Sequence, residues 1–337
     1  MSQTEVRIEK MKIGISIGDI NGIGPEVVLK TFQDSRICKL FTPVIYASGK
    51  VFSFYRSRLK EEFDFFQTDS VAQCNPKKPN VINVWKEPVE IHPGEERSEG
   101  GKYAILSLNR AMEDLLSQKI HALVTAPINK DLMNGEGFDF PGHTEYLTEQ
   151  SGAQESLMLL VHDRLRVGVV TGHIPVSQVS EKLSTEKIEQ KLRILHDSLR
   201  NDFQLTKPKI AVLGLNPHAG ENGQLGTEDQ EIILPVIEKW KNEGHLIYGP
   251  FPADGFFGTK SQQNFDAVLG MYHDQGLIPF KTLAFDEGVN YTAGLSIVRT
   301  SPDHGTGYDI AGKNVASPMS FRNAVYLAAD IAKRRRL

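Results

Sequence analysis

Three histidines, His173, His218 and His273, each stand just past an apolar run: Gly172-His173 after 167–170, Asn216-Pro217-His218 after 210–215, and Tyr272-His273 after 267–271. Imidazole is the commonest protein ligand for zinc-like metals, and three of them leave a coordination position open for a substrate or a water. The separations, 45 and 55 residues, match no local zinc finger. Such a site has to be assembled by the fold or across two subunits. Any one of the three, read alone, is a loop residue; the repeated position after a strand end is what points to a metal.

His273 opens a second group. Its run breaks into His273, Asp274, Gln275 and Gly276, and Lys281, Asn290 and Arg299 come within 26 residues. In open α/β sheets ligands sit outside the carboxyl ends of strands, so His273 is expected to point into a site. Two cations, an amide and a histidine suit a small anion with a hydroxyl or a metal beside it. His143 and Thr144, in FPGHTEYLTEQSG, mark a helix start with Thr144 as its cap, and exposed helix amides there suit a phosphate. His92, His121, His162, His196 and His245 lie in charged or mid-element contexts and read as structural.

The elements that hold these residues are set by periodicity. After a loose first ten residues, strands are expected at 11–17, 42–47, 81–85, 123–126, 157–161, 167–170 and 210–215, with helices from Pro25, over 98–118 and over about 185–203. The charged 60–69 region reads as peripheral. Repeated βα alternation argues for a mostly parallel sheet with helices on both faces. The first turn, GDINGIGPE at 18–26, is glycine-rich but is not G-x-G-x-x-G.

At 337 residues the chain has room for two domains. With 38 Lys and Arg against 42 Asp and Glu, the net charge of −4 gives no reason to expect nucleic acid. The basic end, Lys333 to Arg336, is expected to close a terminal helix and stay solvated. Two isolated cysteines, Cys38 and Cys74, build no disulfide framework, and no run approaches a membrane span. A cytoplasmic protein without membrane contact is expected.

Taken together, GDINGIGPE, VTAPINK (124–130), PGHTEYL (141–147), TGHIPV (171–176), LNPHAGENG (215–223), GPFPAD (249–254) and MYHDQGLIPFK (271–281) resemble the 4-hydroxythreonine-4-phosphate dehydrogenase family of vitamin B6 biosynthesis over nearly the whole chain. One departure is Ile20-Asn21, where that family has Pro-Ala. The resemblance implies two α/β/α domains around a cleft, as in the isocitrate and isopropylmalate dehydrogenase superfamily, with 11–135 plus 300–337 in one and 136–299 in the other. It implies a homodimer whose subunits share a divalent metal on His173, His218 and His273, zinc by ligand type, with cobalt or magnesium as alternatives. His143, Thr144, Lys281, Asn290 and Arg299 become substrate contacts. HGTGYDIAGKNVASP (304–318) resembles the loop for the adenosine part of NAD or NADP, which places Gly305, Thr306, Asp309 and Asn314 at the cofactor.

The implied reaction is NAD-dependent oxidation of 4-phosphohydroxy-L-threonine to 2-amino-3-oxo-4-phosphobutanoate, which decarboxylates to 3-amino-2-oxopropyl phosphate. Lys281, Asp254 and Asp274 are the candidate proton acceptors, and a carboxylate beside a metal serves equally as support for a histidine. Two other readings stand beside this one: a dehydrogenase of a phosphorylated sugar acid such as 4-phosphoerythronate or threonate, and a three-histidine metal hydrolase. A phosphate-binding protein without catalysis is weaker still, since it has no use for an open metal position.

Overall fold

The computed structural model describes residues 10–336, so the expectation of a loose N-terminus falls largely outside the described residues. The chain forms two compact units, one of residues up to Gly142 with Ile297–Lys333, the other of His143–Ser296 with the residues from Arg334 on.

The first unit runs β1 (Lys12–Ser16), α1 (Gly24–Phe32), β2 (Thr42–Ala47), α2 (Gly49–Leu59), β3 (Phe66–Thr68), β4 (Asn80–Asn83), α3 (Ser98–Leu116), β5 (Ala122–Thr125) and α4 (Lys130–Gly135). Proline in the first turn of α1 fits its start, where the missing N–H costs nothing. The expected peripheral region contains β3, which sits beside β4 at the edge of the order β3-β4-β2-β1-β5. All of these pairings are parallel. Every residue of β2 is buried, as parallel strands covered on both faces require.

The second unit begins with α5 (His143–Gln150) and continues with β6 (Leu157–His162), β7 (Leu165–Val169), α6 (Val179–Lys182), α7 (Thr185–Asn201), β8 (Lys209–Leu213), α8 (Leu234–Asn242), β9 (Leu246–Phe251), α9 (Ala253–Gly258), β10 (Ala267–Gly270), α10 (His273–Ala284) and β11 (Val289–Ala293). Its strand order is β11-β6-β7-β10-β8-β9. The β7–β10, β10–β8 and β8–β9 pairings are parallel, whereas β6 pairs antiparallel with both β7 and β11. Strands β6 and β7 are therefore a hairpin rather than two rungs of βα alternation, and the short Asp163-Arg164 link leaves no room for a crossover helix. Leu160, Val167, Val169, Ala211, Leu213 and Val268 pack with Phe256, Leu277 and Phe280 of α9 and α10. Their alternates Leu159, Val212 and Leu269 are equally buried, so both sheet faces are covered.

The chain finishes with β12 (Arg299–Pro302), parallel to β5, and α11 (Met319–Arg335). The basic end is not simply solvated. Arg334 Nη1 donates to Asp202 O at 2.9 Å, Arg335 Nε to the Asp202 carboxylate at 2.7 Å, and Arg335 Nη2 to Tyr291 Oη at 2.9 Å. Asp202 is 2 % exposed and has to be paired, and these arginines supply the charge. The chain is an α/β protein of the expected class. No described helix is long and apolar enough to cross a membrane.

Candidate active site

Strands β7, β10 and β8 lie side by side, and two clamps hold the segments that leave their carboxyl ends. Thr171 donates to Met271 O twice, from its N–H at 3.1 Å and from its hydroxyl at 2.8 Å. Gln275 accepts from Met271 N–H at 2.7 Å and donates to Gly214 O at 2.6 Å. The first clamp aligns β7 and β10 two residues before His173 and His273. The rings of those histidines consequently face each other, with centroids 5.6 Å apart.

Asp274 stands behind this pair, its carboxylate 2.7 Å from His273 Nδ1. A carboxylate on one ring nitrogen fixes the tautomer and turns Nε2 outward, the usual support for an imidazole ligand. A cavity of about 330 Å³ opens here, bordered by His173, His273, Val176 and Tyr272.

His218 behaves differently. It begins a run of left-handed backbone through Asn222, with φ values of 53, 51, 78, 43 and 56°, and its side chain is exposed. Asp229, fully buried, holds this loop by accepting from Leu215 N–H at 2.8 Å, Asn216 N–H at 3.1 Å and Asn216 Nδ2 at 3.0 Å. Among the described residues no group of three or more His, Cys, Asp or Glu side chains is arranged to hold a metal ion. The donors suit a zinc-like ion in type: two imidazoles together, one held by a carboxylate. Within one chain they are a donor short.

Of the expected substrate contacts, His143 is the first residue of α5. Thr144 accordingly sits inside the first turn rather than at the cap, and its carbonyl accepts from Thr148 Oγ1 at 2.7 Å. Lys281 lies on α10 eight residues beyond His273, about 12 Å along the axis. Asn290, on β11, has a buried Oδ1 with no partner among the described residues. Asp254 is exposed in the first turn of α9. Arg299 belongs to the first unit, where it is 3 % exposed and donates to Thr125 Oγ1 from Nε at 3.2 Å and Nη2 at 2.7 Å. Thr125, Thr171, Gln275 and Asp229 position these residues; the first three lie within VTAPINK, TGHIPV and MYHDQGLIPFK, Asp229 lies in the polar stretch TEDQE, and residue order alone does not show which group each of them meets.

The loop expected to meet the cofactor is fastened to the first glycine-rich turn. Thr306 O accepts from Ile23 N–H at 2.8 Å, and a Cβ on Gly22 would approach that oxygen to 2.8 Å, so only glycine fits there. Tyr308 Oη donates to Asp19 Oδ2 at 2.5 Å. Burial raises the Asp19 carboxyl above its ordinary value, opposed by the Tyr308 bond, and burial with the Asp19 charge raises the Tyr308 phenol. Asn21 Oδ1 accepts from His92 N–H at 2.8 Å. Gly305 and Asp309 are exposed, while Asn314 donates to Leu59 O at 3.3 Å and Glu61 at 2.9 Å and is engaged within the protein.

These features are those of a mixed α/β enzyme with its polar groups at strand ends, and comparison with known proteins narrows the class. Residues 39–328 match the family model described as pyridoxal phosphate biosynthetic protein PdxA. A 4-hydroxythreonine-4-phosphate dehydrogenase of Bacteroides thetaiotaomicron is 47% identical over 97% of this chain and 90% of its own. One from Aquifex aeolicus is 41% identical over 95% of this chain and 98% of its own. The crystal structure of the Klebsiella pneumoniae 4-hydroxythreonine-4-phosphate dehydrogenase superposes with a TM-score of 0.84 at 34% identity, covering 96% of this chain and 98% of that one. The chain belongs to the PdxA family.

Proposed function

We propose that this chain is an NAD- or NADP-dependent, metal-requiring 4-hydroxythreonine-4-phosphate dehydrogenase. It oxidises the secondary hydroxyl of 4-phosphohydroxy-L-threonine, and the resulting β-keto acid loses carbon dioxide. The observation that carries the reading is end-to-end similarity to dehydrogenases of that name, with the paired His173 and His273 at the expected strand ends.

His173 and His273 would hold a divalent ion with His218, completed across two copies of the chain; zinc is favoured by imidazole, with cobalt or magnesium as alternatives. Such an ion, when bound, lowers the pKa of the hydroxyl and steadies the enolate left by decarboxylation. Asp274, 2.7 Å from His273 Nδ1, would support that ring, and Lys281 or Asp254 would take the hydroxyl proton. His143, Thr144, Lys281, Asn290 and Arg299 are the proposed substrate contacts, the cations for phosphate and carboxylate. Gly305, Thr306, Asp309 and Asn314 are the proposed cofactor residues. Val176, beside His173, Ile278, on α10, and Phe285, just past its end, are 73%, 62% and 72% exposed, apolar side chains of the kind a homodimer covers. A cytoplasmic location accords with this chemistry.

Rates measured side by side with 4-phosphohydroxy-L-threonine and 4-phosphoerythronate test the substrate. The amino substrate should be turned over at least tenfold faster in kcat/KM; the reverse order would assign the chain to sugar-acid oxidation.

A further inference from the structure

At the opposite edge of the second unit's sheet from His173 and His273 lies a larger cavity, of about 650 Å³, at the amino ends of β7, β8 and β10. Strand β7 has five residues, which puts roughly 16 Å between its two ends. The cavity is therefore separate from the candidate active site.

Behind its wall lie two unmet polar atoms. Gln262 is 7 % exposed, and its Oε1 is buried without a partner among the described residues; so is Arg166 Nε. The Arg166 guanidinium is fixed in place, 4.4 Å over the Phe203 ring, with Nη1 donating to Asp266 O at 3.1 Å and Arg164 O at 3.2 Å. Burial lowers its pKa below the ordinary arginine value, opposed by the charges of Asp266 and Asp163. Arg164 and Lys209 are exposed at the rim, and neither side chain has a partner among the described residues. Against these three cations stand the carboxylates Asp163 and Asp266, and Asp266 already accepts from Lys209 N–H at 2.8 Å. His162 is turned to Glu287 at 2.9 Å. Phe265 and Leu205 supply apolar wall.

Arginine and lysine only donate, so their partner must accept. We propose that this cavity is a second ligand site, which binds a small anion, carboxylate or phosphate.

Glycerol 3-phosphate is a suitable probe, titrated calorimetrically into the full chain beside inorganic phosphate. The Arg164→Ala/Lys209→Ala double variant, altered only at exposed positions, should bind it at least tenfold more weakly and retain wild-type turnover. Lys281→Ala should leave this binding in place. The proposal is overturned if the probe does not bind at millimolar concentration, or if its affinity survives the double variant and disappears in Lys281→Ala.

Discussion

Thr171 and Met271 are joined by two hydrogen bonds to a single carbonyl, 3.1 Å from the Thr171 amide and 2.8 Å from its hydroxyl. Both residues lie two positions before a histidine of the facing pair, so this carbonyl sets the register in which His173 meets His273. Replacing Thr171 by Val removes the hydroxyl bond and leaves the amide bond. Stability should fall by about 1 kcal/mol, while affinity for zinc falls by roughly tenfold or more. Equilibrium dialysis against zinc checks this, and unchanged affinity would deny the clamp its role.

His218→Ala should cost bound metal and turnover and leave the fold intact, because the residue is exposed on a loop held from behind by Asp229. Metal content by elemental analysis and far-UV circular dichroism are the two readings needed. Normal activity of this variant in metal-free buffer would remove His218 from the site.

Asp202→Ala leaves Arg335 without its carboxylate and Tyr291 Oη without its acceptor at 2.6 Å. Breaking one partner of a buried pair leaves a desolvated charge, and Arg335 keeps some solvent contact, so the expected loss is about 3 kcal/mol. Urea denaturation measures it; a loss below about 0.5 kcal/mol would show the terminal arginines to be merely surface residues.

His196 is 6 % exposed, edge-on to Trp240 with centroids 5.5 Å apart and to His245 at 4.6 Å. Burial, then the neighbouring His245, lowers its pKa below the ordinary histidine value. The folded state thus refuses a proton that the unfolded chain accepts. This contribution is fully present above pH about 6.5 and is lost as pH falls from there toward the depressed folded pKa. In denaturation midpoints across that window His196→Gln should show a flatter acid limb, and an identical limb would assign the dependence elsewhere.

Much of this architecture is legible in the chain. Strand β2 is legible to the residue because TPVIYA is a continuous apolar run, and α7 because Ser184, whose Oγ accepts from Lys187 N–H at 3.2 Å, opens a strongly periodic stretch. Strands β9, β11 and β12 escape such a reading: LIYGPF is interrupted by glycine and proline, while VNYTA and RTSP are short and mixed in polarity. The hairpin of β6 and β7 does carry a signal, since the Asp163-Arg164 link is too short for any crossover, but periodicity alone does not register it. At the site, the three histidines are visible because each comes after a strand end. Which of them meet is not, because that depends on the left-handed run from His218 to Asn222 and on side-chain clamps between strands distant in sequence.

NADH formation from 4-phosphohydroxy-L-threonine by the purified chain, with and without a chelator, tests the proposed activity most directly. NADH should appear with substrate and NAD together, cease when the metal is removed, and return on adding zinc, cobalt or magnesium. Turnover that needs no NAD, or NADH formation indifferent to the chelator, would contradict it.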